Sequence, residues 1–140
     1  MANIERLEHV DGLADINALL AQLSANIRPC TPELLQYVLE SPTVELWVVR
    51  EGARIVAMGE LALVPRPEGI AARIEDVVVD AGERGKGLGK AIMQKLIERA
   101  KERNAGIILL SSKPSREAAN AMYQKLGFQK HETNSYFLKL

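Results

Sequence analysis

Residues Ile70–Lys90 read IAARIEDVVVDAGERGKGLGK, and this stretch decides the fold. Ile70 to Asp80 has the texture of a strand, and its three consecutive valines suit a strand covered on both faces at the middle of a sheet. A glycine-rich loop follows. An amphipathic helix then runs from about Leu88 to Arg103, with Leu88, Ile92, Leu96 and Ile97 inward at three- and four-residue spacing. Asn104–Ala105–Gly106 stops it, and Ile107–Ser111 (IILLS) is a short apolar strand. Strand, helix and strand make one βαβ unit, expected to be parallel and right-handed.

Working outward, Val44–Arg50 (VELWVVR) and Ala53–Val64 flank a Glu51–Gly52 turn and read as an antiparallel hairpin. Gly59 is placed for a bulge, Trp47 for the core, and Pro65–Gly69 breaks the strand. Nearer the start, Asn3–His9 suits a short edge strand. From Asp11 a helical pattern carries Leu13, Ile16, Leu19, Leu20 and Leu23 on one face. Thr31–Pro32–Glu33 is a helix start, with a hydroxyl N-cap, a proline in the first turn and an acid after it. That second helix presents Leu34, Leu35, Val38 and Leu39 and ends near Ser41–Pro42. Beyond the βαβ unit, Ser115 caps a helix that runs to Leu126 and stops at Gly127, and Phe128–Leu140 is expected to return as two strand segments. The order β-α-α-β-β-β-α-β-α-β-β predicts an α/β protein with a mixed (α+β) sheet flanked by about four helices. A doubly wound dinucleotide domain is disfavoured.

The 140 residues suit one domain spanning 1–140. At 47% hydrophobic but only 4% aromatic, the core must be mainly aliphatic. Eighteen basic and eighteen acidic residues cancel, so no global field attracts nucleic acid or an anionic membrane. The lone Cys30 permits neither an internal disulfide nor a four-cysteine zinc site, and His9 and His131 are too few for a metal centre. Met1–Val10 has no apolar leader segment, and no run approaches the roughly 20 apolar residues that cross a bilayer. The expectation is a cytoplasmic protein with no metal, no membrane and no nucleic-acid partner.

Arg84–Gly85–Lys86–Gly87–Leu88–Gly89–Lys90 carries the chemistry. Glycines let the backbone approach a ligand closely and turn its N–H groups inward, and the helix that starts here adds unpaired N–H groups and partial positive charge. With Arg84, Lys86 and Lys90 beside it, the loop suits a phosphate or pyrophosphate. Spacing excludes two familiar phosphate loops. Counting back from Gly89–Lys90, the first glycine of a P-loop falls on Arg84 and its hydroxyl residue on Ala91. The dinucleotide fingerprint fails because Gly85, Gly87 and Gly89 are spaced by two throughout.

This loop resembles the acetyl-CoA loop of the GNAT (GCN5-related) N-acetyltransferases, [RQ]-x-x-G-x-[GA], matched by Arg84, Gly87 and Gly89. Ile74–Asp80 looks like that family's central strand. Asn120–Ala121–Met122–Tyr123–Gln124–Lys125–Leu126–Gly127–Phe128 is similar to its N-x-x-Y-x-K-x-G-F segment. The resemblance implies that backbone N–H groups of Arg84, Gly85, Lys86, Gly87, Leu88, Gly89 and Lys90 hold the coenzyme pyrophosphate. It also implies that the pantetheine arm runs beside Val77, Val78 and Val79 as an added strand, with the Val79 N–H meeting the thioester carbonyl. Asn120 and Tyr123 are three apart and share a helix face; the resemblance makes Asn120 a coenzyme contact, and Tyr123 both a contact and the general acid for the departing thiolate.

An amine acceptor arrives mostly as ammonium, and neutralising a group of pKa about 10.4 at pH 7 costs about 4.6 kcal/mol, so a base helps. Glu75, four residues before Val79, matches the place of a catalytic glutamate in some family members; Asp76 and Glu60 stand in reserve, and an ion pair between Glu75 and Arg73 is the competing reading. The acceptor groove is expected along Asn26–Cys30 with Asn134 and Tyr136. The function implied is transfer of acetyl from acetyl-CoA to a primary amine of a small molecule by direct attack. A protein lysine or N-terminal acetyltransferase, or a catalytically silent coenzyme A-binding module, are the alternatives. The resemblance also allows a homodimer.

Overall fold

The chain's sheet runs β1-β2-β3-β4-β5 in sequence order. It is formed by β1 (Asn3–Arg6), β2 (Val44–Glu51), β3 (Arg54–Arg66), β4 (Gly69–Val79) and β5 (Ala105–Leu109). The helices are α1 (Leu13–Leu23), α2 (Pro32–Glu40), α3 (Leu88–Glu102) and α4 (Glu117–Lys125). This computed structural model describes residues 3–140; Met1 and Ala2, at the head of the stretch read for a leader, lie outside the described residues. The described chain divides into two compact units, one ending at Leu110 and the other running from Ser111 to Leu140.

In the first unit every neighbouring pair is antiparallel except β4 with β5, which is parallel. The mixed sheet and the parallel βαβ unit are therefore as expected. Alternation along the strands sends side chains to two faces. On one, Leu46, Val48, Ile55, Met58 and Val78 pack with Ile16 and Leu19 of α1 and Leu35 of α2 in a single apolar cluster. On the other, α3 buries Leu88, Ile92, Met93, Leu96 and Ala100. Ile97, expected inward, is only half-buried, and Met93 and Ala100 complete the face instead. The approach of α3 is close: a Cβ on Gly59 would stand 2.6 Å from Ile92 Cγ2 and 2.9 Å from Leu96 Cδ1. α2 starts as read, with Thr31 Oγ1 accepting the Leu34 N–H at 3.1 Å.

Behind α3 lies a charge knot that the sequence did not announce. Glu45 on β2 is 1% exposed. It accepts from Arg99 Nε and Nη2 at 2.8 Å each, from Arg103 Nη1 at 2.6 Å and from Trp47 Nε1 at 2.9 Å. Burial alone would raise its pKa, but these donors outweigh burial and hold it at about 2. Trp47, expected in the core, is half-buried because its indole must reach Glu45 and lie under Lys95 Nζ, 5.2 Å from the ring centroid.

The second unit holds α4 and the chain end. Ser115 does not cap α4: Arg116 occupies the N-cap position with no side-chain cap bond, and a turn closes from the Arg116 N–H to the Lys113 carbonyl at 3.0 Å. Gly127, at φ +102°, ends the helix as expected. The two C-terminal strands do not form: no residue from 128 to 140 is in a strand.

Removing Arg99 should expose the cost of the Glu45 knot. Arg99→Ala leaves a buried carboxylate with fewer donors and should lower unfolding stability by about 3 kcal/mol in urea titrations. Because the folded pKa of Glu45 lies below its ordinary 4.5, the knot's contribution is complete above about pH 4.5 and is lost as pH falls toward 2. The variant should show a flatter acid limb than the parent.

Candidate active site

The site is built around a fault in the β3–β4 ladder. Met58 opposes Val78 and Glu60 opposes Glu75, so Asp76 and Val77 together face Gly59 alone. The extra residue sits on β4, not at Gly59 as the sequence suggested, and Gly59 is instead the small residue over which α3 packs. Asp76 takes φ +53° to make the bulge, a left-handed conformation uncommon outside glycine. On the other side of β4, pairing with β5 runs from Ile70↔Ala105 to Arg73↔Leu109 and stops. From Ile74 onward β4 has no strand along that edge.

Val79 shows what this leaves open. The Asp80 N–H donates to the Val56 carbonyl at 2.8 Å, so 56 and 80 are a hydrogen-bonded pair. The adjoining antiparallel pair, Ala57↔Val79, must then be non-bonded. Both backbone groups of Val79 therefore turn away from β3, toward the open edge. Its carbonyl accepts from Arg84 Nε at 3.2 Å, which folds the first loop residue back on the strand.

The loop then enters α3. Gly85 and Gly87 adopt φ +82° and +80°, and a Cβ at either would have nothing within 4 Å, so glycine is needed there for backbone conformation and the concavity is open. Ala91 is the residue whose N–H closes back on the Gly87 carbonyl, at 3.1 Å. The N–H groups of Leu88, Gly89 and Lys90 precede the first intrahelical bond and have no carbonyl within the helix to reach. An outward-facing cradle, a helix N-terminus and an open strand edge within one continuous segment fit a pyrophosphate carrying an extended amide arm. Lys86 Nζ is held at 2.6 Å by Glu83, while Lys90 is exposed.

The loop is pinned from α1. Gln22 donates from Nε2 to Asp80 Oδ1 at 2.7 Å and accepts the Ala81 N–H on Oε1 at 2.8 Å. Arg54 Nη2 holds the other Asp80 oxygen at 2.6 Å. Nothing in the spacing of Gln22 signals this role, since its partners lie nearly sixty residues on.

Three carboxylates gather at the bulge. Glu75 pairs with Arg73, Oε1 to Nε at 2.8 Å, half-exposed. Glu60 stands directly across the ladder from it and has no hydrogen-bond or ion-pair partner among the described residues. Burial first, then the charges of Asp76 and Glu75, push Glu60 up to about 7. Asp76 is raised as well, by burial and then by Glu75.

In the second unit, Asn120 and Tyr123 lie on α4. Asn120 Nδ2 donates to the Lys113 carbonyl at 3.0 Å. Tyr123 is buried, with Phe128 edge-on at 6.2 Å between ring centroids. Tyr136 is exposed on the C-terminal segment, and Cys30 is tied by its backbone to the Asn17 amide.

Residues 15–128 match the family described as Acetyltransferase (GNAT) family. The chain belongs to that family. It is 34% identical over 131 residues to the glucosamine 6-phosphate N-acetyltransferase 1 of Oryza sativa subsp. japonica, covering 83% of this chain and 76% of that protein. It is 26% identical over 112 residues to the N-alpha-acetyltransferase RimI of Mycobacterium tuberculosis, covering 80% of this chain and 69% of that protein. A solved Trypanosoma brucei acetyltransferase superposes with a TM-score of 0.84 at 28% identity, covering all of both chains. As a GNAT member the protein is an acetyl-CoA-dependent N-acetyltransferase.

Gln22→Ala should loosen the start of the loop. Calorimetric titration with coenzyme A should show roughly tenfold weaker binding, the scale of one lost charge-assisted hydrogen bond. Gln22→Glu, which keeps the acceptor but sets a second carboxylate against Asp80, should not restore it.

Proposed function

We propose that the protein acetylates the primary amine of a small molecule, with a hexosamine phosphate the first acceptor to test. The relatives named glucosamine 6-phosphate N-acetyltransferase support this. The observation that carries the reading is the open β4 edge continuous with the glycine cradle. The pantetheine arm would run beside Val77, Val78 and Val79, with the Val79 backbone, turned away from β3, offering it hydrogen bonds, and the N–H groups of Arg84, Gly85, Lys86, Gly87, Leu88, Gly89 and Lys90 would take the pyrophosphate. Bound there, acetyl-CoA supplies an activated acyl carbon. The Val79 N–H is the donor offered to charge developing on the acyl oxygen, a role worth about 3–4 kcal/mol in comparable sites. Asn120 orients the coenzyme, and the Tyr123 hydroxyl gives its proton to the departing thiolate.

For the base we assign Glu60 ahead of Glu75. Glu75 already has Arg73 as its partner, which suits the ion-pair reading, whereas Glu60 is unpartnered on the same face. Burial first, then the charges of Asp76 and Glu75, keep Glu60 basic enough to accept a proton at neutral pH. The family match runs across the division at Leu110, which supports one working domain. The lone free Cys30 suits a reducing, cytoplasmic setting.

Coenzyme A release, followed with a thiol reagent across amino sugars, polyamines, amino acids and peptides, tests the acceptor. Turnover should depend on a small amine. Binding of acetyl-CoA without turnover on any amine would leave a silent binding module. Tyr123→Phe should lower kcat about a hundredfold with coenzyme binding retained; unchanged kcat would remove the acid role.

The two candidate bases separate by pH. With Glu60 as base, kcat/KM falls below about pH 7, and Glu60→Gln abolishes that limb. Glu75→Gln removes a negative neighbour, so the limb should persist and move to lower pH. Loss of the limb in Glu75→Gln alone would return the role to Glu75.

A further inference from the structure

Helix α1 carries one residue that its apolar pattern does not explain. Asn17 falls between Leu13 and Leu20 at four- and three-residue spacing, within the stripe that packs on the sheet. Asparagine is a weak helix former because its amide competes with the backbone for hydrogen bonds. Here the amide is used on one distant residue. Asn17 Oδ1 accepts the Cys30 N–H at 2.7 Å, and Asn17 Nδ2 donates to the Cys30 carbonyl at 3.1 Å. The side chain pairs with Cys30 much as a neighbouring strand would, engaging both backbone groups of that residue at once.

Cys30 lies near the end of the connection from α1 to α2, and the same helix holds the beginning of that connection. Gln22, in the last turn of α1, bonds Asp80 Oδ1 and the Ala81 N–H. The connection therefore leaves α1 beside the end of β4, close to Val79 and its open edge. Between the two clamps, Ala25, Asn26, Arg28 and Pro29 are exposed. Among the described residues the stretch 25–29 makes two hydrogen bonds, from the Asn26 N–H to Ser24 Oγ at 3.4 Å and from the Ile27 N–H to the Ser24 carbonyl at 3.5 Å. Both are long and local, so neither ties the stretch to the rest of the fold. Its course is set by the α1 amides at its two ends.

We propose that Asn17 is a positioning residue for the amine acceptor: by holding Cys30 it fixes the exposed stretch 25–29 beside the end of β4, where the amine meets the acyl carbon. The inference rests on the acetyl-transfer reading above. The two α1 amides then divide the work. Gln22 holds the start of the coenzyme loop, whereas both hydrogen bonds of the Asn17 amide go to Cys30. A short exposed stretch that samples many conformations must be ordered when an acceptor binds, and that ordering opposes binding. Loss of Asn17 therefore shows as weaker use of the amine with coenzyme binding retained, and loss of Gln22 shows first in coenzyme binding.

Asn17→Ala and Asn17→Asp test this. Alanine favours the helix, so the first keeps α1 while removing the clamp; the second keeps the acceptor for the Cys30 N–H and loses the donor to its carbonyl. The amides of Asn26, Ile27, Arg28 and Cys30 should exchange hydrogen faster in Asn17→Ala than in the parent. With glucosamine 6-phosphate, or the amine that the acceptor survey selects, KM should rise about tenfold in Asn17→Ala and less in Asn17→Asp, while the calorimetric Kd for coenzyme A stays within about twofold of the parent's. Unchanged exchange at these amides overturns the proposal, because the clamp then positions nothing. Faster exchange with an unchanged amine KM overturns it as well and leaves acetyl transfer standing. Equal losses for amine and coenzyme A make Asn17 a general stabiliser and overturn the positioning role. A parent without amine-dependent turnover overturns the acetyl-transfer reading itself, and with it this one.

Discussion

The parting of β4 from β5 after Arg73 is the constraint on which the rest depends. A strand in the interior of a sheet normally spends all its N–H and C=O groups on its neighbours. Here a left-handed Asp76 inserts an extra residue opposite Gly59, the strand turns, and from Ile74 onward β4 keeps β3 as its one strand neighbour in the sheet. The result is an internal sheet edge, a place where an amide-bearing ligand can complete a ladder that the protein leaves unfinished. Edges of this kind are liabilities elsewhere on a protein, and the fold tolerates this one because α3 crosses directly over Gly59 and holds β3 and β4 together from behind.

The glycine loop follows from that geometry. Val79 turns its carbonyl outward, Arg84 takes it, and the chain re-enters helix at Leu88 with its first N–H groups aimed away from the core. Gln22, Asp80 and Arg54 fix where this happens. The Glu45 knot does a separate job. It locks α3 to β2 through Arg99 and Arg103, so the helix whose N-terminus lines the cradle is anchored near its far end. Site and scaffold share one helix, tied by charge near its far end.

Much of this was legible in the residues. The valine run, the R-x-x-G-x-G loop and the amphipathic pattern after it specify a strand, a turn and a helix through local chemistry, and Thr31–Pro32–Glu33 marks its helix for the same reason. The bulge was misplaced because a glycine is a local signal, whereas which strand carries the extra residue depends on register between strands. Trp47 was misread, and Glu45 passed unread, for a related cause: β-alternation puts them on the α3 face, but only the arginines at 99 and 103 make that face polar there. Gln22 was invisible because an amide's partners are set by tertiary structure. The two strand segments expected in Phe128–Leu140 do not form, since propensity states a preference and pairing with a neighbour decides.

The account's central claim is that the backbone from Val79 to Lys90 is the surface that receives acetyl-CoA. Amide hydrogen exchange of the full chain, resolved by residue with and without coenzyme A, tests it most directly. The expected result is strong protection of the Val79 N–H together with those of Gly85–Lys90 when coenzyme A is added, with β1 and β2 unchanged. Exchange at these amides that is indifferent to saturating coenzyme A would contradict it.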